Sequence, residues 1–339
     1  MTGSPGPALT IVTPVYNGER YIAETVRSVL ADMAPNDAYI VVDDGSRDGT
    51  PEILDGLGDR VRLLRQSNQG EIAAVNAGVA ATPPDVDIVG IVNADDPIRR
   101  GLLAAVRAAF ADDPNLSAVY PDWIEIDADG QKLASVRTYE FDYEVLLAEH
   151  MCIPGPGAFF RKSVLAGEPV RDPLAAGISD YDFWLRFARR GARIRRIPET
   201  LATWRLHEGG TTVVAQGAEL AATKIKVIER LLNLPDLQEA VRALGPRALS
   251  AAYYHAALVG LRTTGVPSLR YAVKSYVLAP RWPGDVLSHQ RRSFPHLAYA
   301  ALQPLSGRAH ALASPLLPRR YRRDAIIRQT FGLDVPANR

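Results

Sequence analysis

One cysteine, Cys152, stands in 339 residues. An internal disulfide framework is therefore excluded, and the thiol count fits a reducing, cytoplasmic compartment. Long hydrophobic runs are also missing. The longest nearly apolar stretch, "ALSAAYYHAALVGL" at 248–261, is too short to cross a bilayer and carries His255, so it reads as a buried helix. The opening "MTGSPGPALT" has neither a charged n-region nor an apolar h-region, so no signal peptide is expected. No G-x-G-x-x-G follows the first apolar run, which ends in "TPVYNGER", and no Walker A loop occurs. Both absences argue against a glycine loop as the phosphate holder. Internal repeats and low-complexity tracts are absent as well.

What is present is ordinary for a soluble globular chain: 47% hydrophobic and 23% charged residues, enough for one large or two modest domains. The net charge of +1 hides an asymmetry. Residues 262–339 carry 13 Lys and Arg against 3 Asp and Glu, which leaves 26 against 35 in residues 1–261. A basic tail of this kind suits an anionic membrane surface or an anionic substrate, and equally a solvated helical face. No recognition motif or aromatic platform accompanies it, so nucleic acid is not an expected partner.

The first half alternates β-rich runs with helical patterns. "LTIVTPV" (9–15), "YIVVDD" (39–44), "VRLLRQ" (61–66), "VDIVGIVNADD" (86–96) and "LSAVY" (116–120) read as strands, with an extended segment continuing to about 140. Helices are expected over 19–31, where Ile22, Val26 and Val29 share a face, and over 71–81 and 101–111. Thr50 reads as the N-cap of a short helix opened by Pro51. This βα alternation, with near-continuous Val and Ile strands, predicts an α/β fold with a mostly parallel sheet between helices. Further on, "CIPGPGAFFR" reads as a Pro/Gly loop, 179–191 as a helix stopped by Gly191, and 192–207 as strand-like. Helical segments follow from about 215. The expected division is a domain over 1–215 and a helical C-terminal region over 216–339.

Three of these strands end in chemistry: "TPVYN" (13–17), "VDDGS" (42–46) and "VNADD" (92–96). In a parallel sheet their carboxyl ends lie at one edge, where open α/β sheets bind ligands. Asp43, Asp44, Asp95 and Asp96 would then meet in one crevice. Four carboxylates there call for a hard cation, Mg²⁺ or Mn²⁺. The competing reading of each Asp-Gly pair is an ordinary turn.

Five ordered stretches, "PVYN" at 14–17, "VDDGS" at 42–46, "NQGEIAAVNAG" at 68–78, "NADD" at 93–96 and "SDYDFWLR" at 179–186, together resemble the family 2 glycosyltransferases of GT-A fold, over about residues 8–210. The resemblance implies a nucleotide-sugar donor at the ends of the first strands. Pro14 and Tyr16 would line the nucleotide base, and Asp44, with Asp43 beside it, would accept from base or ribose. Gln69 and Asn76 would face the donor. Asp96, with Asp95, would stand at the acidic motif that binds the divalent metal, and His207 would reach the metal or the diphosphate. Asp180 would be the general base of an inverting displacement. Read without the family, Asp180 is simply an acid at a helix N-terminus.

The chain departs from the family's usual pattern in two places, with Asn93 where many members have Asp and Ser179 where Glu is frequent. Trp204-Arg205 lacks the Gln and the order of the processive Q-x-x-R-W signature, which argues for transfer of a single sugar. The acceptor class implied is carbohydrate or lipid-linked, with the C-terminal helices shaping its site, dimerising or touching the membrane. Two alternatives are a nucleotidyltransferase, which would need a basic glycine-rich loop after the first strand, and a non-catalytic sugar-nucleotide-binding protein.

Overall fold

The computed structural model describes residues 6–149, 154–209, 218–260 and 268–278. Contacts divide the chain into two units, one of residues 1–146 with 151–214 and one of 147–150 with 215–339. The domain boundary expected at 215/216, Cys152, and the basic tail apart from 268–278 lie outside the described residues.

The first unit is built on an eight-stranded mixed sheet: β1 (Leu9–Val15), β2 (Ala38–Asp43), β3 (Arg62–Arg65), β4 (Ile88–Ile91), β5 (Ala118–Ile126), β6 (Lys132–Val136), β7 (Phe159–Arg161) and β8 (Ile194–Arg205). Its order is β3-β2-β1-β4-β7-β5-β6, with β8 alongside β5. β2 and β4 flank β1 in parallel, β3 extends the parallel run, and β8 is parallel to β5. β7 enters antiparallel between β4 and β5.

The helices are α1 (Ile22–Asp32), α2 (Thr50–Asp55), α3 (Glu71–Ala80), α4 (Leu102–Asp112), α5 (Tyr143–Glu149) and α6 (Ser179–Ala188). Hydrophobic spacing explains them directly. Ile22, Val26 and Val29 are fully buried on one face of α1, each contributing about 1.5–3 kcal/mol of transfer free energy. α3 lies unusually close to the sheet because Gly78 faces it. A Cβ there would stand 2.3 Å from Val12 Cγ1, so only glycine permits this approach. Likewise Gly90 of β4 leaves room for its register partner Phe159, whose ring would lie 2.4 Å from an added Cβ. Phe160 then meets Phe183 of α6 at 4.7 Å, an aromatic core that fixes α6 against the sheet.

Three expectations are corrected. The strand expected over 86–96 holds the ladder only across Ile88–Ile91. Beyond it Asp96 N donates to Asn93 O, turning the chain out of the sheet. The "AFFR" end of the expected loop is strand β7, because its Phe pair is buried between β4 and β5. Thr50 is not a cap: Gly49 takes that position, Asp48 Oδ1 accepts from Thr50 N, and the Thr50 hydroxyl accepts from Gly18 N.

The second unit contains α7 (Ala218–Leu232), α8 (Glu239–Ala243), α9 (Gly245–Gly260) and α10 (Ser268–Leu278). α9 buries an alanine face, Ala248, Ala251, Ala252 and Ala256, whose small side chains allow close helix packing. Ser250 donates to Ser275 O across α9 and α10. Among the described residues no helix is long and apolar enough to cross a membrane.

Candidate active site

The carboxyl ends of β2, β1 and β4 emerge at one edge, and the loops after them are stitched together. Ser46 Oγ accepts from Asn17 N at 2.9 Å, Asn17 Oδ1 accepts from Arg47 N at 2.8 Å, and Thr50 Oγ1 accepts from Gly18 N at 2.8 Å. Asn17 takes φ 51° to make this turn, a conformation Asn tolerates better than most side chains. Pro14 is buried within β1, and Tyr16, just past its end, is 46% exposed.

The four carboxylates reach this edge as expected, yet each is matched by protein donors. Asp43 accepts from Ser46 N at 2.9 Å and lies 3.9 Å from Arg65. Asp44 is buried, and both its oxygens are engaged, by Gln66 Nε2 (2.7 Å), Gln69 N (2.9 Å) and Gly70 N (2.8 Å). It pins the loop ahead of α3. Gln69 itself presents an exposed side chain.

Asp96 is also buried. It accepts from Arg205 N at 2.7 Å and from Asn93 Nδ2 at 3.0 Å. Burial, reinforced by the neighbouring Asp95 charge, pushes its carboxyl up to about 7. Asp95 Oδ2 pairs with His207 Nε2 at 2.9 Å. The His207 ring stands 4.9 Å from Tyr21.

Arg205, at the end of β8, joins these pieces. Its backbone holds Asp96, its Nε donates to Asp95 O at 2.8 Å, its Nη2 meets Glu24 at 2.6 Å, and its guanidinium lies over Tyr21. Sequence alone does not reveal this role. The available signal was an arginine at a strand end two residues before His207, in a chain whose acidic pairs needed a counter-charge.

Among the described residues, no three His, Cys, Asp or Glu side chains gather as a metal-binding group. Protein hydrogen bonds engage Asp43 and Asp44 separately from Asp95 and Asp96. Asp95 and His207, adjacent at 2.9 Å, are ligand types that a divalent cation accepts, so the chemistry of this pair suits one.

Beside this cluster lies a pocket of about 350 Å³. Asn93, Asp96, Arg171 and Asp180 are its polar lining, and Trp123, Phe183, Trp184 and Trp204 its aromatic wall. Asp180 is an exposed residue in the first turn of α6, accepting from Tyr181 N at 2.7 Å. Glu71, at the start of α3, is raised above the usual carboxylate range, first by partial burial and then by Asp180, with Arg171 opposing, though 44% of its side chain stays exposed. Asn76 turns its amide to the backbone of residue 171, donating to Arg171 O at 2.8 Å and accepting from Arg171 N at 2.9 Å. Arg161 serves structure: it donates to Leu116 O and Pro114 O and lies over Phe110.

Residues 10–167 match the model of Glycosyl transferase family 2. That span, just under half of the chain, carries the Glycosyl transferase family 2 pattern. The O-antigen biosynthesis protein RfbC of Myxococcus xanthus is 28% identical over 234 residues, 65% of the present chain and 17% of the relative. The chain spans a minor part of the length of the curated relatives it matches. Among solved structures, S. aureus TarS 1–349 in complex with UDP-GlcNAc superposes with a TM-score of 0.59 at 18% identity, covering 90% of this chain and 83% of the other. The mannosyltransferase PcManGT from Pyrobaculum calidifontis, in complex with GDP-Man and Mn²⁺, gives a TM-score of 0.51 at 20% identity, covering 91% and 87%. The likeness is one of fold, and that fold is GT-A.

Proposed function

We propose that this protein is a metal-dependent, inverting family 2 glycosyltransferase that moves one sugar from a nucleotide-sugar to a hydroxyl of a carbohydrate or lipid-linked acceptor. The observation that carries the reading is the pocket at the carboxyl edge of the sheet, where Asp180 shares one aromatic-walled space with Asp96. A concave site with few polar groups and apolar walls suits a sugar ring, whose C–H faces pack on indole rings while its hydroxyls meet the acids. Similarity to an O-antigen biosynthesis protein, and to structures holding UDP-GlcNAc or GDP-Man, lends support to a nucleotide-sugar donor and an envelope-glycan acceptor.

Pro14 and the exposed Tyr16 ring would receive the nucleotide base, and Asp43 and Gln69 would face the ribose and the donor's polar groups. Asp44 and Asn76 would act at one remove, holding the 66–70 loop and the backbone of residue 171. Asp95 and His207, with Asp96 behind them, would hold a divalent cation. When bound, such an ion neutralises charge on the departing diphosphate as a Lewis acid. Asp180 would accept the proton of the attacking hydroxyl from the face opposite the leaving group, which inverts the anomeric centre.

The test begins with thermal shift of the full chain against a panel of nucleotide-sugars with and without Mn²⁺, to find the donor. Asp180→Asn should then lower transfer by about a hundredfold or more while leaving donor affinity within about twofold. Turnover equal to wild type would remove Asp180 from the base role.

A further inference from the structure

Among the described residues, Arg171 is the one cation lining the pocket, and its side chain is 11% exposed. Its Nε and Nη1 are buried and find no hydrogen-bond partner, and its nearest carboxylate, Glu71, stands 3.9 Å away. The indole N–H of Trp123, on the same pocket wall, is likewise buried without a partner. A buried guanidinium with unmade hydrogen bonds costs stability, so its retention asks for a reason. The pocket also holds the Asp96 and Asp180 carboxylates, but its buried unpartnered groups, on Arg171 and the Trp123 indole, are donors, which favours an acceptor-rich ligand against them. Their charge narrows it further, to an oxyanion.

The residue is also held rigidly. Asn76 of α3 clamps its backbone through both N–H and C=O, at 2.9 and 2.8 Å. The clamp fixes the backbone position from which the guanidinium extends, through a residue 95 positions away. Arg171 and Asp180 line the same pocket, as does Asp96, whereas Asp95 and His207 are not among its lining residues.

We infer that Arg171 is an anion-recognition residue for the acceptor: the hydroxyl presented to Asp180 belongs to a molecule carrying a phosphate group close by. This rests on the reading of Asp180 as the base. The phosphate oxygens would accept from the planar guanidinium fork, and the Glu71 carboxylate would keep the empty site from holding a bare cation. No covalent step is involved; the contact orients the nucleophile and selects phosphorylated acceptors over neutral ones.

The experiment uses the full-length protein, first saturated with whichever of UDP, GDP, CDP or dTDP binds most tightly by calorimetry. It is then titrated with glycerol 3-phosphate, with glycerol as the uncharged control. The phosphate should bind where glycerol does not. Arg171→Gln should weaken it by about tenfold or more, and nucleotide affinity should stay within about twofold. Arg171→Lys keeps the charge but loses the fork, and should weaken it by roughly threefold to tenfold. That arm decides the matter if Arg171→Gln fails to fold by circular dichroism. Unchanged phosphate binding in a folded variant overturns the inference. So does a comparable fall in nucleotide affinity, because the guanidinium would then serve the donor diphosphate. If no nucleoside diphosphate binds, the glycosyltransferase reading fails, and titration of the nucleotide-free protein still judges Arg171.

Discussion

At the scale of single residues, the site is governed by which donors each carboxylate has already taken. Asp44 illustrates the point, with three charge-assisted hydrogen bonds from residues 66, 69 and 70 on one buried group. Asp44→Ala should cost about 3 kcal/mol, read as a lower urea midpoint, because it leaves buried N–H groups unpaired. A loss below about 1 kcal/mol would mean that the loop holds itself. The sequence showed that Asp43, Asp44, Asp95 and Asp96 gather at one edge, because strand periodicity and the parallel order dictate it. Their partners were hidden. Asn76 and Arg171 are 95 positions apart, and Asp96 and Arg205 are 109 apart, so no local spacing announces either pair.

At the scale of elements, β5 and β8 carry the half of the sheet that supports the pocket's Trp123 and Trp204. A buried ion pair joins them: Arg196 Nη2 meets Asp122 Oδ2 at 2.6 Å, and Thr138 donates to Asp122 through both N and Oγ1. Burial alone would raise the Asp122 carboxyl, but Arg196 and Thr138 together hold it below the usual range. A depressed acid contributes stability above its unfolded pKa, near 3.9, and loses it as pH falls through the folded value. Asp122→Asn should therefore cost about 3 kcal/mol at pH 7, the gap to wild type closing below about pH 4 in melting curves. A gap independent of pH would assign the cost to packing instead.

Elements with clean periodicity, β1, β2, α1 and α3, were legible from sequence almost to the residue. β7 was not. Three residues cannot show a period, and the Pro and Gly residues before it mask a strand that only Gly90 and the β5 edge make favourable.

At the scale of the molecule, the first unit contains every candidate residue of the site, and the second is an alanine-faced helical assembly. Arg205 has a bearing on how the first unit is made. Asp95, Asp96 and Glu24 would repel one another in the folded chain, and one guanidinium with a backbone N–H offsets that repulsion from within. Chelation by EDTA should accordingly leave the melting temperature within about 2 °C, and turnover should return when Mn²⁺ is restored. Unfolding in the chelator would refute this. Under the proposed function, supply of the ion would then set turnover, while the internal pairing through Arg205 keeps the fold itself independent of it.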